Sequence, residues 1–319
     1  MTSQNLRAAA HALARILPKP LAAPSAVPGV TFYRREAANA EGTYITRPMA
    51  SFLLQGEKLT VAGGITRLYR EGEFLVCCGT FPGHCTVTTP SSDHPFLSVA
   101  MELDMALLAR FFAALPASRA AGAAPALLSG RMSDEMENAV LRLLRASTDP
   151  VRARFLGPLA VEELHFLIAA SPEGERLRPF CESNTASNRI LRLIEALQSD
   201  CGREFDITEE ARRIGMSLSV FHRRFKETTG LSPIQFQKRL RLFRAQELMI
   251  SEGRRVSEAA FAVGYRSPSQ FAREYSREFG TSPQRDASEK RRRIAGGEAF
   301  TERTEEAGHF NGRRNPCNI

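Results

Sequence analysis

The chain has 319 residues, of which 24% are charged and 43% hydrophobic, and its formal net charge is +8. A chain of this length predicts two domains, and no apolar run approaches the roughly 18 residues of a membrane span. No apolar segment follows the first basic residues as in a secretory signal, and six unevenly spaced cysteines are not typical of a disulfide framework. We therefore expect a cytoplasmic protein without membrane contact.

Residues 1–28 are predicted to form a short amphipathic helix followed by a proline-rich link. Leu6, Leu13 and Leu17 recur at roughly helical spacing, and several prolines then follow within ten residues. A targeting helix is an alternative, because the helical stretch contains arginines and no acidic residue. A helix packed on its own domain is the favoured interpretation.

Residues 29–170 are predicted to form a β-rich domain that ends in helices. From Gly29 to about Leu103, short apolar runs alternate with turn signals such as Gly63-Gly64 and Glu71-Gly72, a pattern that favours a sandwich or small barrel. The period then becomes helical at residues 104–114 and 129–170. Residues 171–187 mix proline, glycine and polar residues, so the interdomain linker is placed there.

Three cysteines, Cys77, Cys78 and Cys85, lie on neighbouring strand and turn segments. Adjacent strand residues point to opposite faces, so Cys77 and Cys78 cannot both face one pocket. One of them could pair with Cys85 in an oxidation or electrophile switch, since the thiolate is the reactive form. Buried structural thiols are the favoured alternative.

Residues 188–286 contain one helical unit twice. The segment from Ile207 to Met216 is repeated as Val256 to Tyr265, and the segment from Ser219 to Pro233 is repeated as Ser269 to Pro283. Each copy predicts a helix that begins at an N-cap, Thr208 or Ser257, and ends at a glycine, followed by a second helix that begins at a serine. We call them the first module and the second module. A long helix from Pro233 to about Ile250 joins them.

The second helix of each module predicts a DNA-reading face. Phe221 and Phe225 are four residues apart and belong to the core, as do Phe271 and Tyr275. The outward residues of the modules are polar or basic, as reading of a major groove requires; they are Ser219, His222, Arg223, Lys226, Ser269, Gln270, Arg273 and Arg277. These 99 residues carry five more basic than acidic side chains, whereas residues 1–187 carry one more.

Residues 287–319 begin with a basic run and contain few apolar residues, so a disordered basic tail is predicted.

The doubled module resembles the DNA-binding domain of the AraC/XylS family of bacterial transcription regulators. The motifs that carry the resemblance are F-x-x-x-F-K-x-x-x-G-x-S-P at Phe221–Pro233 and A-x-x-V-G-Y-x-S-x-S-x-F-x-R at Ala260–Arg273. The resemblance implies seven helices. The family usually has leucine at the position of Glu210, so the first module is expected to be looser here, and it usually has phenylalanine at the position of Tyr275.

The N-terminal segments are similar to the sensor domain of one branch of this family. They read P-x-x-S-F-x-L-Q-G-x-K, then Y-x-x-G, then H-P-F-L-x-V-x-x-E-L-D, which ends at Asp104. The resemblance implies a cupin-like β-fold, and therefore a two-domain α+β protein: a β-rich barrel with flanking helices, then an all-α domain with two helix-turn-helix motifs. It also implies contact with RNA polymerase and a possible homodimer.

The resulting expectation is a sequence-specific DNA-binding regulator that responds to a small-molecule or electrophile effector, and not an enzyme. Arg223 and Arg273 are the predicted base readers, because arginine pairs bidentately with guanine. Lys226, Arg277 and Arg244 are predicted phosphate contacts.

Two alternatives stay open. One is a cupin-type metalloenzyme fused to a DNA-binding domain, with a metal on His84, His94 and Glu102; no His-x-His pair occurs, so no metal and no cofactor are expected. The other is a DNA-binding protein without an effector.

Overall fold

The computed structural model describes residues 3–37, 43–88, 90–116 and 124–295. Its N-terminal part is β-rich and its C-terminal part is helical, which confirms the predicted fold class. The strands are β1 Leu21–Pro24, β2 Val30–Arg35, β3 Thr43–Ile45, β4 Met49–Gln55, β5 Glu57–Ala62, β6 Ile65–Arg70, β7 Glu73–Cys77, β8 Pro82–Val87, β9 Phe96–Glu102 and β10 Leu127–Arg131. The helices among and after them are α1 Gln4–Ile16, α2 Met105–Ala114, α3 Asp134–Ala146, α4 Pro150–Phe155, α5 Gly157–Ala170 and α6 Pro172–Cys181.

The strands form two antiparallel sheets. One has the order β1-β2-β9-β4-β7-β10 and the other the order β3-β8-β5-β6. Residues of both sheets line one small space between them, so the core of this domain lies between the sheets. Closure of the two sheets into a barrel stays a prediction.

The N-terminal helix is present, but the segment after it is more than a link. Ser3 caps α1, and Leu6 and Leu13 are buried against the domain. The expected proline-rich link contains β1, which pairs with β2 and places Leu21 opposite Arg34. Proline lacks an N–H to donate, and β1 tolerates Pro24 because it is the edge strand of its sheet.

Two further segments differ from expectation. The residues assigned to the interdomain linker contain α6, in which Leu177 and Phe180 are fully buried, so this segment packs as part of the N-terminal domain. Residues 129–131, which the periodicity assigned to a helix, belong instead to strand β10, whose two apolar residues directly follow an alanine- and proline-rich stretch. It completes its sheet by pairing with β7.

The C-terminal domain contains seven helices within the described residues, as the resemblance implied. They are α7 Ala186–Ser199, α8 Ile207–Arg213, α9 Leu218–Thr229, α10 Pro233–Ser251, α11 Val256–Ala262, α12 Pro268–Phe279 and α13 Pro283–Ala295. Helices α8 and α9 form the first module, α11 and α12 form the second, and α10 packs against both.

Local capping explains most of these boundaries. Ser217 and Ser267 cap α9 and α12, and Ser232 forms a capping box with Gln235 at the start of α10. Gly230 and Gly280 end α9 and α12 in the left-handed conformation that glycine tolerates. The expected caps of the first helices were wrong by one turn or less: Asp206 caps α8 and Arg255 precedes α11.

The start of the expected tail is also helical. Helix α13 extends to Ala295, and Ala287 is buried. Asp286 anchors this helix, since its carboxylate accepts hydrogen bonds from Tyr275 Oη at 2.6 Å and Gln246 Nε2 at 2.7 Å. The remaining residues of the tail lie outside the described part of the chain.

Candidate nucleic-acid interface

The core face of each module fixes the direction of its second helix. Phe221 and Phe225 on α9 are fully buried, with ring centroids 5.5 Å apart, and Phe225 packs against Phe236 of α10. Phe271 and Tyr275 on α12 are equally buried and share a 5.5 Å ring contact. Two aromatic side chains on one face of each helix leave the opposite face exposed.

The predicted reading residues lie on those exposed faces. All eight of the residues predicted on α9 and α12 are exposed: Ser219, His222, Arg223, Lys226, Ser269, Gln270, Arg273 and Arg277. The ring of His222 also contacts the edge of Phe221, at a centroid distance of 6.2 Å. Whether these side chains touch DNA stays a prediction, but their placement permits it.

The cations of the two reading faces differ from several of the cations near them. Within the described residues, the four cationic side chains of these faces, Arg223, Lys226, Arg273 and Arg277, form no ion pair. Their neighbours do: Arg224 pairs with Glu227 at 3.3 Å. Cations held in ion pairs are less available to phosphate, so these four side chains remain available to it.

The basic residues of α10 form mainly intramolecular contacts. Arg241 donates to the carbonyl oxygens of Cys201 and Arg203, both at 2.9 Å. Arg244, a predicted phosphate contact, is half-buried and pairs with Glu247 one turn away at 2.5 Å. Burial lowers the pKa of Arg244, but Glu247 more than offsets this and the net pKa is raised. The role of Arg244 as a phosphate contact stays a prediction, and its ion pair with Glu247 competes with it.

Glu274 forms hydrogen bonds and an ion pair beside the second reading face. It pairs with Lys238 at 2.9 Å, accepts from Tyr265 Oη at 2.8 Å and contacts Gln270 Nε2 at 3.4 Å. Burial acts to raise the pKa of Glu274, but the hydrogen bonds from these three groups bring its net pKa below the usual range. The carboxylate therefore orients Gln270 on the helix.

Glu210 is buried, and the first module is not left with an unpaired charge. Its carboxylate pairs with Arg203 and Arg213, both at 2.7 Å. The expected loosening rested on a lone acid in place of leucine; instead, two arginines compensate the charge and connect α8 to the preceding loop. No sequence signal pointed to Arg203, because it lies seven residues away in an irregular segment.

The candidate effector space lies between the two sheets. A cavity of about 10 Å³ is lined by hydroxyl, amine and thiol groups together with apolar ones, including Ser51, Lys58, Thr60, Tyr69 and Cys77. The hydroxyl of Tyr69 lies 3.2 Å from that of Ser51. The hydroxyl of Thr60, which lines this cavity, is buried without a hydrogen-bond partner among the described residues.

The cysteines divide as the strand period predicts. Cys77 lines the cavity and its thiol lies 3.3 Å from Thr46 Oγ1, while Cys78 is fully buried elsewhere. Burial raises the pKa of the Cys78 thiol well above its usual value, and Cys77 and Cys181 add to this. Cys85 is half-buried and lies opposite Thr60 in the β5–β8 register, so it is on the cavity side.

The described residues contain neither a metal-binding cluster nor a membrane-spanning helix. No group of three histidine, cysteine or acidic side chains in the described residues could hold a metal, so His84, His94 and Glu102 are not brought together. Within the same residues, every helix is too short or too polar to cross a membrane.

Comparison with known proteins agrees with both halves of the chain. Residues 26–176 match the model of the AraC-type transcriptional regulator N-terminus, and residues 211–288 match a helix-turn-helix domain. The transcriptional regulator ExsA of Pseudomonas aeruginosa is 30% identical over 136 residues, which are 42% of this chain and 48% of ExsA. The transcriptional activator RhaS of Escherichia fergusonii is 34% identical over 105 residues, 31% of this chain and 38% of RhaS.

The fold is similar to that of ToxT from Vibrio cholerae. The crystal structure of ToxT bound to an unsaturated fatty acid superposes with a TM-score of 0.52 at 12% identity, over 80% of this chain and 93% of ToxT. The matched regions of the curated relatives span half of their length or less. A β-rich domain followed by paired helix-turn-helix modules defines a class of two-domain regulators. The chain belongs to the AraC/XylS family of that class.

Proposed function

We propose that the chain is a transcription regulator that binds a specific DNA sequence through both modules. The observation that carries this proposal is the pair of matched helix faces, each exposed, polar and provided with cations that form no ion pair within the described residues. Helix α10 joins the modules, so they can read major-groove segments about one helical turn, roughly 34 Å, apart.

The roles of the side chains follow from their donors. Arg223 and Arg273 read bases, because a guanidinium can donate two hydrogen bonds to one guanine. The flanking side chains add contacts to base edges; they are Ser219, His222, Ser269 and Gln270. Lys226 and Arg277 contact phosphates, which position the protein without specifying sequence.

Footprinting on the DNA that flanks the gene for this protein, combined with a salt titration, tests the proposal. We expect two adjacent protected segments that survive competitor DNA. Arg223→Ala should cost about 1–3 kcal/mol and relax sequence preference, whereas Lys226→Ala should weaken all sequences and lower the salt slope by about one. Arg224→Ala is the matched control, because Arg224 lies on the same helix but pairs with Glu227.

Equal loss of affinity in the Arg223 and Arg224 variants would contradict the assigned reading face. Weak binding that disappears at moderate salt for every sequence would contradict specific recognition altogether, since only the net positive charge would then be acting.

The space between the sheets is the proposed effector site. Its hydroxyls, of which that of Thr60 has no hydrogen-bond partner among the described residues, fit a small polar molecule, and its volume of about 10 Å³ requires the sheets to move apart on binding. The fatty acid in the ToxT structure supports a ligand in a protein of this fold. Cys85 is an alternative effector site, at which an electrophile would add to the thiol.

Thermal shift of the full chain against small acids, aldehydes and aromatics tests the effector, because a ligand that binds only the folded state raises the melting temperature. The same preparation should contain no stoichiometric metal by elemental analysis. Bound metal would favour the metalloenzyme alternative, and the absence of any shift would favour an effector-free protein.

A homodimer is proposed through α4 and α5. Phe155, Leu156 and Leu159 are each more than half exposed there, and a cavity of about 290 Å³ lies beside them. Basic Arg152 precedes the apolar residues, and Glu163, which pairs with Arg142 of its own copy, follows them. Antiparallel pairing of two copies would therefore bring Leu156 to Leu159 and place Arg152 beside the Arg142–Glu163 pair.

Sedimentation tests this contact. Leu159→Glu should yield monomers, and exposed Leu68→Glu on β6 is the control. Arg152→Glu should weaken the dimer, and a dimer unaffected by both substitutions lies elsewhere. Contact with RNA polymerase and a cytoplasmic location stay predictions from the family resemblance and the sequence.

A further inference from the structure

The hairpin turn between β5 and β6 contacts the C-terminal end of α9, the helix that carries the first reading face. We call α9 and α12 the reading helices. The N–H of Gly64 donates to the carbonyl oxygen of Thr229 at 2.8 Å, and the N–H of Ala126 donates to that of Thr228 at 3.0 Å. The last carbonyls of a helix have no partner inside the helix. At α9, two of them are satisfied by the backbone of the N-terminal domain.

This contact is close because the turn has no side chains. A Cβ on Gly63 would lie 2.5 Å from the carbonyl oxygen of Thr229, and a Cβ on Gly64 would lie 2.6 Å from that of Gly230. Gly63 also has a φ of +60°, so a substitution there strains the turn itself, whereas Gly64 is not in that region. Substitution of Gly64 therefore affects the contact with α9 selectively.

Arg239 extends the same contact to the second module. Its guanidinium donates to the carbonyl oxygen of Gly63 and also pairs with Glu278 of α12 at 2.5 Å. The guanidinium carbon lies 5.8 Å from the ring centre of Phe243 on α10, which holds it in place. One turn of the N-terminal domain is thus connected to both reading helices.

Two further contacts hold the linker helix and α7 to the same domain. Phe81 packs edge-on against Phe236 of α10, at a centroid distance of 6.1 Å. Gln198 Nε2 on α7 donates to the carbonyl oxygen of Thr80 at 2.7 Å. Both reading faces remain exposed in this docked arrangement, so docking fixes where the reading helices lie without covering them.

The other end of the hairpin enters the proposed effector site. Lys58 and Thr60 of β5 and Tyr69 of β6 line the cavity. Thr60 is three residues from Gly63, about 10 Å along an extended strand. A strand that is hydrogen-bonded to both neighbours moves as a unit, so displacement at Thr60 is carried to the turn.

We propose that the β5–β6 hairpin transmits occupancy of the inter-sheet space to the two reading helices, through Gly64 to α9 and through Arg239 to α12. This inference rests on the proposed function. Because the effector is unidentified, the probe is N-ethylmaleimide, which enlarges the half-buried Cys85 opposite Thr60. The other described cysteines are buried, and Cys317, outside the described residues, is replaced by serine in every protein used.

The experiment measures DNA affinity of the full chain before and after labelling, in three backgrounds: the parent turn, Gly64→Ala and Arg239→Gln. The expected result is a change in Kd of about fivefold or more on labelling the parent, and less than about twofold in both variants. Thr66→Ala, an exposed position of the same hairpin, should keep the full change, and Cys85→Ser should show none.

Two results would overturn the inference. Labelling of the parent could leave its affinity unchanged, or Gly64→Ala could respond as fully as the parent, which would place the route elsewhere, for example through Phe81 and Phe236. Circular dichroism of each labelled protein verifies that it is folded. Failure of the unlabelled parent to bind specific DNA would instead refute the proposed function, so the two failures are distinguishable.

Discussion

Replacing Glu210 should reveal how the first module tolerates a buried acid where the family usually has leucine. The carboxylate is 6% exposed and pairs with Arg203, which is 27% exposed, and with Arg213, which is half exposed. Removing one partner of a buried pair costs about 3–5 kcal/mol, whereas replacing the pair by a packed apolar group is often neutral. Solvent at Arg213 lowers its share to at most about 1 kcal/mol.

These magnitudes predict an order. Arg203→Ala leaves the buried carboxylate with one partner and should cost the most, about 2–3 kcal/mol. Glu210→Ala should cost about 1–2 kcal/mol, because the arginines left behind retain some solvent. Glu210→Leu should lie within about 1 kcal/mol of the parent, since leucine refills the volume against Ala211.

Hydrogen exchange of the α8 and α9 amides measures the free energy of local opening of the first module. This avoids treating a two-domain chain as a two-state system. A cost of about 2 kcal/mol corresponds to roughly 30-fold faster exchange through local opening. If Glu210→Leu were as destabilising as Glu210→Ala, the carboxylate itself would be required, and the reasoning would be refuted.

Two other predictions concern buried polar groups. The ring of His165 accepts a hydrogen bond from the N–H of Asp104 at 2.9 Å, and burial lowers the pKa of His165. The stability that neutral His165 contributes should therefore be complete above about pH 6.5 and be lost as pH falls through the lowered folded pKa. His165→Gln should remove this pH dependence, measured by thermal unfolding between about pH 7.5 and 5. Tyr275→Phe should cost about 1 kcal/mol in hydrogen exchange of the α12 and α13 amides, because Asp286 keeps its bond from Gln246. No loss would show that the Tyr275 hydroxyl is dispensable.

The sequence alone determined the double module. The signals that predict it are local, because they act within one or two helical turns. They are serine caps, glycines that end helices and aromatic residues four positions apart, and their repetition in the sequence allows both modules to be recognised. The same locality exposed the reading residues, because a helix with Phe221 and Phe225 inward must turn Arg223 outward. The strand-rich texture of the N-terminal domain followed in the same way from alternation and turns.

Only the tertiary structure decided which charges are free and how the domains meet. Arg239 and Arg223 are indistinguishable in sequence, yet Arg239 pairs with residues 39 and 176 positions away while Arg223 faces solvent. The partners of Glu210, the pairing of β10 and the contact of Gly64 with Thr229 likewise join segments that local patterns do not relate. Contacts of this kind depend on the path of the whole chain, and short-range periodicity contains no information about that path.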